Sequence, residues 1–168
     1  MESKITLPKA RSLDVSTELE RIVPLLKLLP GGTNSDNLRL LKSEICRIGT
    51  AVYVIDASSG PVAMITLSQP YLRRVGLIEH IAVMPDYRRQ RLASILYEYV
   101  ERLAFDLGLL RLCIIATTTD GMSFAMAQGF STQALLPPYL GVGRNVVWLD
   151  KDISQLVFAS SEEGASRE

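Results

Sequence analysis

Three arginines lie where an apolar, strand-like segment gives way to a long helical one. Residues 77–108 read LIEHIAVMPDYRRQRLASILYEYVERLAFDLG, and the basic residues are concentrated in the RRQR of residues 88–91. The first main-chain N–H groups of a helix have no partner inside the helix, and the helix dipole is positive at that end. A cationic turn that leads into a helix therefore predicts an anion-binding site. The alternative is a solvated surface patch of like charges.

Hydrophobic periodicity predicts the elements that must position this turn. We expect strands at 4–7, 51–56, 61–67, 77–83, 110–116, 131–136 and 145–149, and helices at 14–29, 90–107 and 122–128 together with one that follows residue 35. Pro24 either kinks the first helix or divides it into two short ones. Ser35 and Asp120 are the predicted N-caps, and Gly108 is the predicted C′ residue of the long helix. The apolar stripe of the long helix places Tyr99 in the core.

Two features of this order predict the topology. The turn chemistry of residues 57–60 joins the strands on either side into an antiparallel hairpin. The segments 77–83, 90–107 and 110–116 form a βαβ unit, whose two strands are expected to be parallel.

Composition limits the class of protein. The chain has 168 residues with 18 basic and 18 acidic side chains, so its charge gives no reason to expect a nucleic-acid or membrane partner. A single domain over residues 1–153, followed by a polar tail at 154–168, is the simplest organisation. The N-terminus lacks a secretory signal pattern and two cysteines make no disulfide framework or metal spacing, which favours a cytoplasmic protein without a metal. Hydrophobic residues make up 48% of the chain, so either the core is large or a homodimer covers apolar surface.

Three local motifs, in this order, carry a resemblance to a known family. They are IEHIAV at 78–83, followed by Pro85 and Tyr87, then RRQRLA at 88–93, and Gly129-Phe130 after a short helix. Together with the order of elements over residues 5–149, they resemble the GNAT superfamily of acyl-coenzyme A-dependent N-acetyltransferases. The resemblance implies an α/β (α+β) fold with a mixed, mostly antiparallel central sheet, flanked by helices and containing one parallel βαβ unit.

The resemblance also implies where acetyl-coenzyme A binds. Its pantetheine arm would follow the strand, its pyrophosphate would lie on the turn and helix N-terminus, and two further residues would contact it from the later helix. The implied coenzyme-binding residues are Ile81, Ala82, Val83, Arg88, Arg89, Gln90, Arg91, Leu92, Ala93, Ser94, Thr118 and Phe124. Arg91 replaces a glycine of the family motif, and Arg89 lies where glycine is frequent. Arg91 either adds a forked cation for the phosphates or fills the space that they need.

Glu79 is the catalytic residue that the resemblance favours. Attack on a thioester requires a neutral amine, so a carboxylate that removes a proton, directly or through a water, assists the reaction. The alternative is a structural carboxylate paired with Arg73 or Arg74. On a continuous strand, Glu79 would share a face with Ile81 and Val83. His80, the only histidine, could carry a proton near neutral pH, or it could be structural.

The acid that protonates the leaving thiolate is less clearly marked. Many family members carry a tyrosine four or five residues before the Gly-Phe phenylalanine, where this chain has Ala125. Tyr139, in a turn-rich loop, is the candidate acid in its place. A main-chain N–H near Val83 or Met84 would polarise the thioester carbonyl.

The function expected from the resemblance is direct transfer of an acetyl group from acetyl-coenzyme A to a primary amine of an unidentified acceptor. Acceptor specificity would reside in residues 25–43 and 136–144. The alternative is a weak or inactive module of the same fold that binds acyl-coenzyme A or a protein partner. A nucleotide-binding domain that uses the same basic turn is a third hypothesis, although the sequence lacks Gly-x-Gly-x-x-Gly and Gly-Lys-Ser/Thr patterns.

Overall fold

The computed structural model describes residues 9–69, 74–136 and 146–154. In chain order its elements are β1 (Ala10–Leu13), α1 (Val15–Glu18), α2 (Val23–Leu26), α3 (Ser35–Ile45), β2 (Thr50–Ala57), β3 (Gly60–Ser68), β4 (Val75–Ile78), β5 (Ile81–Val83), α4 (Leu92–Asp106), β6 (Arg111–Ala116), α5 (Thr119–Ala127), β7 (Ser131–Leu136) and β8 (Val146–Asp152). Single turns of 3₁₀ helix lie at Leu19–Ile22 and Pro85–Tyr87. The predicted fold class is confirmed: the strands are mostly antiparallel, with one parallel pair, and helices flank them.

The chain divides into two compact units, of which the first comprises Met1–Thr66 and His80–Val100. In this unit β1 pairs antiparallel with β2, and β5 pairs antiparallel with β3. Its core is formed by apolar side chains from the N-terminal helices and from strands β1, β2, β3 and β5. The buried members are Leu13, Ile22, Leu25, Leu26, Leu29, Ile45, Val52, Val54, Met64 and Ala82.

The second unit comprises Leu67–Glu79 and Glu101–Glu168. Its strands follow the order β4-β6-β8-β7, with β4 parallel to β6 and the other pairs antiparallel. The parallel strands of the predicted βαβ unit are therefore confirmed. Gly76 allows this packing, because a Cβ there would lie 2.9 Å from side-chain atoms of Leu67 and Leu112.

The N-terminal segment differs from prediction in its details. Of the two alternatives at Pro24, the structure has short helices, with Pro24 in the first turn of α2, where its missing N–H costs nothing. The N-cap of α3 is Asn34 and not Ser35, because the Asn34 side chain accepts the N–H groups of Asp36 and Asn37. The predicted strand at 4–7 lies outside the described residues, and the strand that pairs with β2 is β1.

Helix α4 begins later than predicted and presents a different face. The prediction that it starts at residue 90 is wrong, because Arg91 has a φ of 61° and a left-handed residue cannot continue a right-handed helix. The prediction of a core Tyr99 is also wrong: Tyr99 is 39% exposed and tilts against the ring of Tyr53, whereas Tyr97 is buried. The predicted C′ residue Gly108 is confirmed by its φ of 72°.

Helix α5 ends in a hydrogen-bonding pattern that explains the Gly-Phe pair. The N–H of Gly129 donates to Met126 and that of Phe130 to Ala125, which is the Schellman motif with glycine at the left-handed position. The predicted N-cap Asp120 is wrong, since the hydroxyl of Thr118 accepts the N–H of Gly121 and starts the helix earlier. Phe130 is buried.

Strand β8 extends to Asp152, beyond the predicted end at residue 149, because it pairs with β6 along its whole length. The single-domain boundary at residue 153 stays a prediction, since residues 155–168 lie outside the described part. No helix among the described residues is long and apolar enough to cross a membrane.

The left-handed Gly129 gives a test of the α5 ending. Gly129→Ala should lower the free energy of unfolding by about 1 kcal/mol, because a Cβ is disfavoured at positive φ. The added carbon meets nothing closer than 3.5 Å, so steric crowding does not contribute. Gly129→Asn is the matched variant and should lose less, since asparagine tolerates this conformation. Urea unfolding of the three proteins measures the effect, and equal stability of all three would contradict this account.

Candidate active site

The sheet changes register immediately before β5. Ser68 pairs with Leu77, whereas Ile65 pairs with Ile81. Two residues therefore lie between the paired positions on β3 and three between those on the opposite segment, which is the geometry of a β-bulge. The prediction of one continuous strand over 77–83 is wrong for this reason. Strand alternation does not run through the bulge, so it no longer places Glu79 on the face of Ile81.

Thr66 holds the bulge from β3. Its hydroxyl accepts the N–H of His80 at 3.0 Å, and its own N–H donates to the His80 carbonyl at 3.0 Å. Thr66 is fully buried, so these bonds are shielded from water. The Thr66 hydroxyl thus accepts an N–H group of the bulge, that of His80. Strand β5 then begins in the new register.

The main-chain groups of β5 alternate in direction. Met84 donates its N–H to Val62, and His80 bonds Thr66, so the even-numbered residues turn their main-chain groups toward β3. Ile81 and Val83 consequently direct their N–H and C=O groups away from β3, while the Ala82 side chain packs in the core. Of the two predicted N–H groups for a thioester carbonyl, that of Met84 is therefore already engaged, and that of Val83 has the required direction.

The turn between β5 and α4 has the left-handed backbone conformation that is typical of glycine, but at two arginines. Arg89 and Arg91 both have a φ of 61°. A left-handed conformation costs an L-residue roughly 1–2 kcal/mol. Strain of this kind persists where the surrounding structure imposes it, and it is commonest at functional sites. The turn therefore has, at Arg89 and Arg91, the backbone conformation that glycine adopts most easily.

The arginine side chains of the turn point into solvent. Arg88 donates from Nε to the Val83 carbonyl at 3.3 Å, and Gln90 donates from its amide to the Asp86 carbonyl at 3.4 Å. Arg91 is 79% exposed and its guanidinium lies 3.6 Å from the Glu98 carboxylate. Glu98 is two turns along α4, so the Arg91 side chain runs beside the helix and does not occupy the space before its first turn.

The N-terminus of α4 has the chemistry that a diphosphate requires. The Arg91 carbonyl accepts the first helical bond from Ile95, so the N–H groups of the turn that follows Arg91 are not used by the helix itself. Ala93 is small, Leu92 is buried, and three arginines surround this end. These residues fit the diphosphate of a coenzyme A molecule in charge, donor type and space.

His80 has a carboxylate neighbour that the sequence did not reveal. Its Nε2 atom lies 3.5 Å from the Glu44 carboxylate on α3, and its side chain is 16% exposed. Glu79, which directly precedes His80, is half-buried at the bulge. No periodic pattern connects Glu44 with His80, because they are separated by the hairpin of β2 and β3.

The remaining predicted residues lie in the second unit or outside the described chain. Thr118 caps α5 with its hydroxyl, and Phe124 is half-buried on the same helix. Ala125, at the position where the resemblance led us to expect a proton-donating tyrosine, is fully buried. Tyr139 and Arg73 lie outside the described residues. Among the described residues, no group of three or more His, Cys, Asp or Glu side chains could hold a metal ion.

Comparison with known proteins identifies the family. Residues 25–130 match the model of the Acetyltransferase (GNAT) family. An aminoglycoside 6'-N-acetyltransferase complexed with coenzyme A is similar in structure, at 14% identity and a TM-score of 0.73, over 86% of this chain and 97% of that one. The ribosomal-protein-S18-alanine N-acetyltransferase from Escherichia coli is 17% identical, with a TM-score of 0.71 over 88% and 95% of the two chains. The aminoglycoside 6'-N-acetyltransferase from Enterococcus faecium is 14% identical, with a TM-score of 0.71 over 86% and 97%. No curated protein matches the sequence.

The strain in the turn can be measured at Arg89. Arg89→Gly should be about 0.5–1 kcal/mol more stable than Arg89→Ala, because only glycine relieves the positive φ and part of the gain is offset by its backbone entropy. Both variants lose the same charge, so their difference isolates the backbone. Thermal or urea unfolding gives the comparison, and an alanine variant at least as stable as the glycine variant would show that the turn is not strained.

Proposed function

This chain belongs to the GNAT family of acetyltransferases, and on that premise we propose that it transfers an acetyl group from acetyl-coenzyme A directly to a primary amine. The observation that carries the proposal is the turn before α4. Its backbone keeps two left-handed residues at positions where the family has or favours glycine, and the side chain of Arg91 pairs with Glu98 along α4. Two strained residues in one short turn support a functional role, because backbone strain of this kind clusters at functional sites.

In this proposal the coenzyme is held by main chain and charge. Ile81 and Val83 would bond the pantetheine arm through the groups they direct away from β3, beside Ala82. The pyrophosphate would be held by the turn and the first helical turn, that is by Arg88, Arg89, Gln90, Arg91, Leu92, Ala93 and Ser94. Thr118 and Phe124 are proposed as further contacts. Bound there, the coenzyme supplies a thioester whose carbonyl carbon is open to nucleophilic attack.

Glu79 is proposed as the base that takes a proton from the acceptor ammonium, directly or through a water. Its place at the bulge supports this role, because it lies partly exposed just before β5, the strand that would carry the pantetheine arm. The N–H of Val83 would donate to the carbonyl oxygen as negative charge develops on it. Tyr139 stays a prediction as the acid for the departing thiolate.

The amine acceptor is proposed from the chemistry of the similar structures. Their names specify N-acetylation, of an aminoglycoside at its 6' position in one case and of an alanine of ribosomal protein S18 in the other. Both reactions use a nitrogen nucleophile. We propose a nitrogen nucleophile for the acceptor of this chain as well, and a transfer reaction that requires no metal.

One observation favours a second candidate function, an acyl-coenzyme A-binding module with weak or no transferase activity. Ala125 is fully buried and has no group that could donate a proton. Calorimetric titration with acetyl-coenzyme A, followed by a thiol-release assay over a panel of amines, separates the two candidates. Binding with thiol release supports the enzyme, binding without release supports the module, and the absence of binding at millimolar ligand contradicts both.

Glu79→Gln should lower turnover by about 10²–10⁴-fold, the usual contribution of a positioned base. Affinity for acetyl-coenzyme A should change little, since the pyrophosphate contacts are elsewhere in the sequence. His80→Gln is the comparison variant, because it tests the neighbouring proton carrier without removing the carboxylate. Steady-state rates at saturating coenzyme measure the effect. Full turnover in Glu79→Gln with loss in His80→Gln would transfer the role of base to His80.

A further inference from the structure

The ion pair between Arg91 and Glu98 holds one arginine of the turn away from the helix N-terminus. The closest atoms, Arg91 Nη2 and Glu98 Oε1, are 3.6 Å apart, and the two side chains are 79% and 61% exposed. Arg91 directly precedes α4, and Glu98 lies in the second turn of that helix. To reach Glu98, the guanidinium must therefore extend along α4 and away from the main-chain N–H groups of its first turn.

The three arginines of the turn are engaged to different degrees. Arg88 is held by the Val83 carbonyl. For Arg89, the described residues provide no ion pair or hydrogen-bond partner. Arg91 is the one whose position depends on a single exposed carboxylate. The charge available to an anion at this helix end is thus set in part by whether Arg91 pairs with Glu98.

We propose that Glu98 competes with the phosphate groups of coenzyme A for Arg91, and so limits the affinity of this chain for its coenzyme. The inference rests on the proposed function, because the competing anion is the coenzyme of that reaction. Arg91 is then a specificity residue for phosphorylated ligands. When no such ligand is bound, Glu98 pairs with Arg91 and keeps it away from the helix N-terminus.

The strengths of the two interactions decide the direction of the exchange. An exposed ion pair contributes little to stability, because water screens it. A phosphate at the helix N-terminus accepts a forked, charge-assisted pair of hydrogen bonds from arginine and also interacts with the helix dipole. The phosphate should therefore displace Glu98 from Arg91. The affinity for coenzyme A is lowered by no more than the free energy of the ion pair that is broken.

The test is calorimetric titration of coenzyme A into Glu98→Gln and its matched control. Glu98→Gln should bind about two- to fivefold more tightly than the unmodified protein, which is the range that an exposed ion pair allows. Asp106→Asn removes the same charge at the opposite end of α4, and it should bind like the unmodified protein. An equal gain in both variants would reduce the effect to net charge and overturn the proposal.

A double variant isolates Arg91. Arg91→Ala should bind coenzyme A about ten- to a hundredfold more weakly, since one charge-assisted pair is lost. In the Arg91→Ala background, Glu98→Gln should no longer change the affinity. A gain that persists without Arg91 would show that Glu98 acts on the phosphates by its own field, and the competition would be excluded.

Truncated ligands identify the phosphate. Pantetheine has no phosphate and should bind equally to Glu98→Gln and the unmodified protein, whereas a difference with pantetheine would overturn the proposal. Dephospho-coenzyme A lacks only the 3′-phosphate: a retained gain assigns Arg91 to the diphosphate, and a lost gain assigns it to the 3′-phosphate. If the unmodified protein binds no coenzyme A at all, the proposed function fails. If it binds and Glu98→Gln has no effect, only this inference fails.

Discussion

One extra residue between β4 and β5 is the constraint on which the site depends. Without the extra residue, the register set by Ser68 and Leu77 would continue, and the odd-numbered residues that follow Leu77 would direct their main-chain groups toward β3. The additional residue makes the even-numbered residues face β3 instead, and the buried hydroxyl of Thr66 stabilises this change of register. As a result Val83 turns its N–H and C=O away from β3, and the following turn begins from a strand whose outer edge carries hydrogen-bonding groups. The bulge therefore determines both what the strand can bind and where the turn starts.

The turn itself is unfavourable in two respects, and its neighbours explain why it persists. Positive φ values at Arg89 and Arg91 cost conformational energy, and cations near a helix N-terminus oppose the helix dipole. Burial of Leu92 and of the following stripe of α4 fixes the start of the helix. Glu98 and the Val83 carbonyl each remove part of the repulsion by pairing with an arginine. An anion at this position would relieve both electrostatic costs together, which is why the arrangement indicates a ligand more strongly than the charges alone.

Local periodicity predicted most elements, and the misses have non-local causes. The hairpin of β2 and β3, the parallel pair β4 and β6, and β7 followed from hydrophobic pattern and turn residues, because each depends on its own segment. The bulge did not, since it depends on a hydroxyl contributed by β3. Tyr99, which the apolar stripe placed in the core, is exposed and Tyr97 is buried, because the elements that pack on α4 decide which of its faces is buried. The motif predicted an anion site, but nothing in the sequence indicated the pairs of Arg91 with Glu98 and of His80 with Glu44, which depend on the folded arrangement.

The buried Ala125 constrains the chemistry more than the arginines do. Its carbonyl accepts the Phe130 N–H in the Schellman ending of α5, and its side chain is fully enclosed, so a tyrosine could not be accommodated there without repacking. In the proposed reaction, if Tyr139 does not supply the proton either, the coenzyme must leave as a thiolate. With a thiol pKa of about 8.5, leaving as the thiolate at neutral pH costs only about 2 kcal/mol relative to the protonated product. On the proposed function, formation of the neutral amine then becomes the step to which the protein would contribute most, and that is the step assigned to Glu79 as the proposed base.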